Sequence, residues 1–230
     1  MSPSAVLPVG EPATPLKGCP PVLVEAGHRI RPTVLAINST LPVTPVLTGL
    51  LPGGLRRGTT VTVSGVGARS LALALISVAT VSGSWAAVVG DHDLGLVAAL
   101  EAGVDLRRLV VVDSPSPTTW GEVVAALVGT LDLVLIASTP RVSGTVARRL
   151  ATRCRQRGSV LIQVGDDRWP DRCDLRLMVV AGTWSGPQSG RGHLRSRRVE
   201  VTAEGRGVMA GKRRAELLLP GPDGAPVAVR

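Results

Sequence analysis

Two glycines, an arginine and a serine stand at spacings that could hold a phosphate group: Gly65, Gly67, Arg69 and Ser70. A phosphate-binding loop follows a strand and opens a helix. Its backbone N–H groups and a lysine cradle phosphates, while a hydroxyl binds magnesium. The pattern is G-x-x-x-x-G-K-[ST], and this chain reads GVGARS. If Arg69 stands for the lysine and Ser70 for the hydroxyl, Gly65 is two residues too close. Arginine also favours planar bidentate contacts. These residues therefore predict a degenerate nucleotide-binding loop.

The acid that would bind magnesium is missing from its expected place. It should end the apolar run LDLVLIA, where Ala137 stands. The remaining candidate acids are Asp91 and Asp93, at the end of the second strand of the predicted sheet. Losing two independent parts is hard to reconcile with phosphoryl transfer. We therefore predict a protein that is not an enzyme, with no catalytic residue, no metal and no ATP or other cofactor. A divergent ATPase that uses Arg69, Ser70 and Asp91 stays open as an alternative.

Strands that alternate with helices must position these residues. The predicted strands span residues 59–64, 85–89, 109–112, 131–137 and 159–164, and the predicted helices span residues 70–81, 93–102, 119–129 and 145–157. Such alternation predicts an α/β fold with a mostly parallel sheet flanked by helices. Shorter strands at 175–180, 197–202 and 215–219, separated by glycine-rich turns, predict an antiparallel C-terminal extension of that sheet.

The order of segments divides the chain into three parts. Residues 1–40 are proline-rich without a sustained period and predict a flexible N-terminal arm; residues 41–219 form the core; residues 220–230 form a C-terminal tail. Both ends are either short binding segments or unstructured ends. Residues 70–90 carry no charge, but their serines, threonine and glycine favour a buried helix and strand over a membrane span.

The three cysteines favour a reducing compartment. Cys19, Cys154 and Cys173 lie far apart, without a CxxC or Cys/His cluster, so the sequence supports neither a zinc site nor a disulfide framework. The first residues lack a basic start followed by an apolar block, so we expect no signal peptide and a cytoplasmic protein.

The same segments, in this order, resemble the RecA core over roughly residues 41–219. The run LPGGLRRGTTVTVS resembles the lead into the family's phosphate loop, and LEAGVDLRRL resembles its turn after the second strand. In this resemblance Asp91 falls where RecA has its catalytic glutamate, and Ala137 replaces the magnesium acid. Asp166 stands near the nucleotide-sensing glutamine.

The C-terminal part resembles a narrower family. The runs GRGHLRSRRVEVTAEGRG and KRRAELLLPGPDG resemble the actinobacterial ImuA-type proteins, which are RecA-like accessories of damage-induced mutagenesis. The resemblance implies a non-catalytic scaffold in translesion synthesis during the SOS response. It also implies two partners, an ImuB-type polymerase-like protein and an error-prone DNA polymerase. RecA-like relatives without ATPase activity can also resemble cell-division inhibitors, so an inhibitor or adaptor of that kind is the alternative.

Positive charge is concentrated in the last third of the chain. The net charge is +9; residues 1–140 hold 8 Lys+Arg against 9 Asp+Glu, and residues 141–230 hold 18 against 8. This asymmetry indicates a polyanionic or acidic partner for the C-terminal part. The candidate residues for DNA or partner binding are Arg149, Arg153, Arg157, Trp184, Arg191, Arg195, Arg197, Arg198, Lys212, Arg213 and Arg214.

Three interpretations of these basic residues stay open: contact with DNA phosphates, docking to an acidic protein surface, or a solvated rim. Four tryptophans with no Phe or Tyr are too few rings for a dedicated RNA-reading module. No zinc finger or helix-turn-helix pattern indicates base-specific reading of DNA.

Overall fold

The computed structural model describes residues 39–137, 140–165, 169–186 and 193–229, without the side chain of Val208. The expected arm at residues 1–40 lies outside these ranges except for its last two residues. The strands within them are β1 Thr40–Leu41, β2 Leu55–Arg56, β3 Thr60–Gly65, β4 Ala86–Val89, β5 Leu109–Val112, β6 Leu133–Ile136, β7 Val160–Val164, β8 Leu175–Ser185, β9 Ser196–Gly205, β10 Gly211–Leu218 and β11 Val227–Ala228. The helices are α1 Ala68–Val81, α2 Leu96–Glu101, α3 Trp120–Thr130 and α4 Gly144–Arg157.

One large sheet of nine strands organises the fold, in the order β11-β10-β9-β8-β3-β7-β6-β4-β5. Every neighbouring pair from β8 to β5 is parallel. The pairs from β8 to β11 are antiparallel. The predicted parallel sheet with an antiparallel C-terminal extension is therefore confirmed.

The central strands are apolar because both faces of the sheet are covered. All residues of β4, β6 and β7 are buried. Side chains alternate between faces, so Leu133 and Leu135 join one hydrophobic cluster while Val134 and Ile136 join another, which contains Trp120 of α3 and Leu150 of α4. The segment before β3 also contributes to the core: β1 pairs with β2, and Leu41 and Leu55 are buried.

Helix α1 explains the charge-free run of the sequence. Ten of its fourteen residues are buried, so it packs in the core and has no solvent-facing stripe wide enough to need charges. In the described part of the chain, no helix is both long enough and apolar enough to cross a membrane.

Helix α2 is shorter than expected. The sequence predicts a helix over residues 93–102, but α2 begins at Leu96. The Asp91 carboxylate accepts a hydrogen bond from the Asp93 backbone N–H at 3.3 Å, and this local turn competes with helix formation. The aspartates therefore belong to the turn after β4.

The segment after Pro220 returns to the sheet. Strand β11 pairs with β10, with Leu217 opposite Ala228. Gly224 lies against the Glu101 side chain at the end of α2, where an added Cβ would meet the Glu101 Cβ. The described residues of the expected tail are thus folded onto the core.

Candidate functional site

The degenerate loop has the expected strand–turn–helix context but only two residues in its turn. Strand β3 ends at Gly65 and α1 begins at Ala68. Gly65 and Gly67 have φ values of 89° and 98°, a region in which a side chain would be strained. Gly67 is the N-cap of α1; no side chain caps the helix and no acid lies in its first turn. The turn is too short to wrap around a β-phosphate.

Arg69, which stands in the place of the lysine, is bound to the protein's own acids. Its Nε lies 2.8 Å from Oδ2 of Asp91, whose side chain is 3% exposed, and a second guanidinium nitrogen lies 3.9 Å from Asp93. The charge that would meet a phosphate is thus matched by the acid in the place of the catalytic glutamate.

Ala137, just after β6, lies beside Arg69 and Asp91. Its N–H donates to the Val89 carbonyl at 3.1 Å. The cavity shared by Arg69, Asp91 and Ala137 has a volume of about 10 Å³. That volume holds one water molecule at most.

The side chain of Arg197, from β9, packs against the loop at Gly67. Its residue surface is 5% exposed, and its guanidinium lies on Gly67, where any Cβ would overlap it. Nε donates to the Leu219 carbonyl at 3.1 Å, and the guanidinium stacks 5.3 Å from the Trp184 ring centroid. Burial lowers the pKa of Arg197. Among the described residues it has no carboxylate partner, so the indole and the carbonyl supply its stabilisation.

This burial corrects one expectation. Arg197 was expected among the residues that bind DNA or a partner. It instead faces inward, on the same buried face of β9 as Val199 and Val201. Trp184, 43% exposed, packs on Arg197 and still presents surface to solvent. Arg195 is exposed, and Arg191 lies outside the described residues.

Most of the basic side chains of β9 and β10 form ion pairs across the strands. Arg198 pairs with Glu216 at 2.7 Å, Lys212 with Glu204 at 2.8 Å, and Arg214 with Glu200 at 3.3 Å. The antiparallel register places Lys212 directly opposite Glu204, and the other two pairs lie diagonally across the strands. Arg213 lies on the other face, opposite Ala203, and is half-buried.

The arginines of helix α4, unlike most basic side chains of β9 and β10, are not ion-paired in the part of the chain that the structure describes. It contains no acid, and Ser143 caps it by accepting from the Val146 N–H. Within the described ranges none of its arginines lies within 4.0 Å of a carboxylate. The exposed ones are Arg148, Arg149, Arg155 and Arg157. Arg153, a candidate binding residue like Arg149 and Arg157, is half-buried over Gly129 of α3.

Further basic residues, missed by the sequence analysis, lie at the amino ends of the central strands. Arg176 is the exposed second residue of β8, and Arg206 follows β9, where its N–H donates to the Asp174 carbonyl at 2.9 Å. The last turn of α4 lies at this end too, because β7 begins just after it. We call this end the basic edge, with Arg155, Arg157, Arg176, Arg206 and Lys212, and the end with the loop, Asp91 and Ala137 the loop edge.

A signal for Arg176 was present in the sequence. Leu175, Leu177 and Val179 alternate with exposed residues in β8, so the pattern alone indicates that Arg176 faces solvent. Arg206 could not be found this way, because its place depends on the pairing of β9 with β8.

Comparisons with known proteins identify the fold and a family. Residues 49–171 match the family model described as the MT3502 N-terminal domain. Protein Rv3395c of Mycobacterium tuberculosis is 36% identical over 147 residues, which are 61% of this chain and 71% of that protein. The crystal structure of the RadB recombinase matches with a TM-score of 0.57 and 18% identity, covering 81% of this chain and 97% of that one. At this identity the likeness shows the fold alone, and that fold is the RecA-like one expected from the sequence.

Proposed function

Because the chain belongs to the MT3502 N-terminal domain family and has a RecA-like fold, we propose that it is a non-catalytic accessory protein of DNA-damage-induced mutagenesis. In this role it is a scaffold for translesion synthesis. Its partners are an ImuB-type polymerase-like protein and an error-prone DNA polymerase, the pair implied by the ImuA-type resemblance of residues 190–224.

The position of Arg197 carries the non-catalytic part of the proposal. A phosphate at the loop would have to displace a buried guanidinium from Gly67, together with its bond to Leu219 and its contact with Trp184. It would also have to compete with Asp91 for Arg69. Phosphoryl transfer further needs a metal held near the end of β6, where Ala137 offers no oxygen ligand on its side chain.

Helix α4 supports contact with DNA. Five arginines on fourteen residues without an acid repel one another, and this costs stability unless an anion neutralises them. Phosphates of a nucleic acid backbone supply such anions without any reading of base sequence. The paired bases of β9 and β10 are poorer candidates, because their charges are already matched.

The exposed end of the β8–β9 hairpin supports partner binding. Trp184 and Arg195 lie near each other along the hairpin, where the Arg195 N–H donates to the Ser185 carbonyl at 2.9 Å. Tryptophan and arginine are the residue types that most often dominate protein interfaces. We propose that these two side chains contact the polymerase-like partner.

A mutagenesis assay tests the proposed function. The gene is deleted in its native host, and the frequency of ultraviolet-induced mutants is compared with that after complementation by the wild-type chain. We expect deletion to lower the induced frequency to the spontaneous level and complementation to restore it. An induced frequency that is unchanged by deletion would contradict the proposal.

A tagged capture after DNA damage then tests the partners. We expect the wild-type chain to recover a polymerase-like protein, and Arg195→Glu to lose it. Arg198→Glu, at an ion-paired position three residues further along the chain in β9, is the matched control and should retain it. Arg197 is left intact because its replacement would disturb the core. Recovery of cell-division proteins instead would favour the inhibitor or adaptor function.

A further inference from the structure

The basic edge contains a cavity of about 290 Å³. Its wall is formed by Arg176 of β8, Glu204 of β9, Arg206, Lys212 of β10 and Cys173. This volume is near the lower end of the range for small-ligand sites, roughly 300–1,000 Å³. It is far larger than the cavity of about 10 Å³ at the loop edge, so small-molecule binding is sterically more favourable here.

Two glycines line one wall of the cavity. Gly205 and Gly211 face each other across β9 and β10, so neither strand places a side chain there. At Gly205 an added Cβ would collide with the Met209 carbonyl, and Gly211 has a φ of 124°. At either position a side chain would therefore require the backbone to shift.

The charges around the cavity favour an anion. Three cationic side chains line it against one carboxylate, and that carboxylate, Glu204, is already bonded to Lys212 at 2.8 Å. The bond to Lys212 holds the pKa of Glu204 below its ordinary value, with a smaller contribution from nearby Arg176. Arg176 and Arg206 have no carboxylate partner in the described part of the chain, so their guanidiniums remain free to bind oxyanions bidentately.

We propose that this cavity binds a compact phosphate group of about the size of pyrophosphate, held by Arg176 and Arg206. Lys212, with Glu204, forms the remaining wall. Such a group could come from a free diphosphate or from the terminal phosphate of a nucleic acid strand. The site is distinct from helix α4, so it does not depend on the proposed contact between α4 and DNA.

Cys173 provides a local reporter of occupancy. Its half-buried thiol lines the cavity, 3.6 Å from the Thr62 hydroxyl. Cys154 lies on the buried face of α4, and burial raises the pKa of its thiol to about 11, so it should react slowly and report unfolding. The full chain is alkylated with iodoacetamide, and the rate at each cysteine is measured by peptide mass spectrometry.

Pyrophosphate should slow the alkylation of Cys173 in a saturable way. At a concentration ten times the midpoint, mass action predicts protection by a factor of about ten. Arg176→Gln with Arg206→Gln should abolish this protection, whereas the matched pair Arg148→Gln with Arg149→Gln should keep it. Calorimetric titration of the same variants with pyrophosphate gives a second measurement that does not depend on thiol reactivity.

Two oligonucleotides distinguish the two possible sources of the phosphate group. A short single strand with a 5′-phosphate that protects Cys173, beside an unphosphorylated strand that does not, would assign the site to a nucleic acid terminus. Protection by pyrophosphate alone would assign it to a free diphosphate. The proposal is overturned if pyrophosphate at millimolar concentration gives neither heat nor protection, or if the double variant is protected as well as the wild type.

Discussion

The two edges of the central sheet use their charged side chains in opposite ways. At the loop edge Arg69 is bound by Asp91 and Arg197 is buried on Gly67, and the cavity between the strand ends holds about 10 Å³. At the basic edge Arg176 and Arg206 have no acidic partner among the described residues, and the cavity holds about 290 Å³. Open α/β sheets normally bind ligands at the carboxyl ends of their strands. Here the open and electrostatically unmatched surface lies at the amino ends.

The loop edge is thus filled by the protein's own side chains. Arg69 is bound to an acid of the same chain, and the space above Gly67 is occupied by an arginine from β9. The loop now joins the parallel core to the antiparallel extension through contacts of Arg197 with Gly67 and Leu219.

Replacing Arg197 should have the largest effect on stability. Arg197→Ala removes the donor from the Leu219 carbonyl, the stacking on Trp184 and the packing on Gly67, so we expect a loss of about 2–4 kcal/mol in the free energy of unfolding. The measurement is denaturant unfolding, with Arg198→Ala as the control because its ion pair is exposed. Equal losses of unfolding free energy in the two variants would show that the contacts of Arg197 with Gly67 and Leu219 do not stabilise the fold.

The buried thiol of Cys154 should make stability depend on alkaline pH. Burial raises its pKa from 9.0 to about 11, so the unfolded chain loses the proton first. The free energy of unfolding should be unaffected below about pH 8 and should fall between pH 9 and 11, by up to about 2–3 kcal/mol. Cys154→Ala should lack this component, whereas Cys173→Ala should retain it. Parallel pH profiles for wild type and Cys154→Ala would contradict the prediction.

Helix α4 and the β9–β10 strands should differ in their effect on DNA affinity. Arg149→Gln with Arg157→Gln removes two unpaired charges and should lower the slope of log affinity against log salt by about 1.8 on duplex DNA, from about 0.9 per phosphate contact. Arg198→Gln with Arg214→Gln removes two charges that are already paired. Fluorescence anisotropy across a salt series measures both. A larger change from the second pair would reverse the assignment of the DNA surface.

Restoring one acid at the loop edge should have the smallest effect. Ala137→Asp returns a carboxylate to the end of β6, but the turn before α1 stays short and Arg69 stays bound to Asp91. We expect no magnesium-dependent ATP hydrolysis above the buffer blank. Measurable turnover by this variant alone would mean that the loop opens in solution.

Much of the fold could be predicted from periodicity, because the central strands are short apolar runs between glycine turns. Helix α2 could not, since the turn made by Asp91 competes with its first residues. The spacing of Arg197, Val199 and Val201 at every second position indicated that Arg197 shares their buried face. Its charge, however, favours the prediction that it lies on the surface. The ion pairs of Arg198 and Arg214 follow from the strand register, which a single sequence does not contain.

The closed state of the loop edge is tested most directly by equilibrium binding of magnesium-ATP to the full chain. Because a ligand that binds only the folded state stabilises it by RT ln(1 + [L]/Kd), millimolar ATP should leave the melting temperature of the wild type unchanged, and calorimetry should show no saturable heat. A saturable stabilisation that is abolished by Arg69→Ala or Ser70→Ala would contradict the closed loop. The protein would then have to be treated as a nucleotide-dependent RecA-like protein.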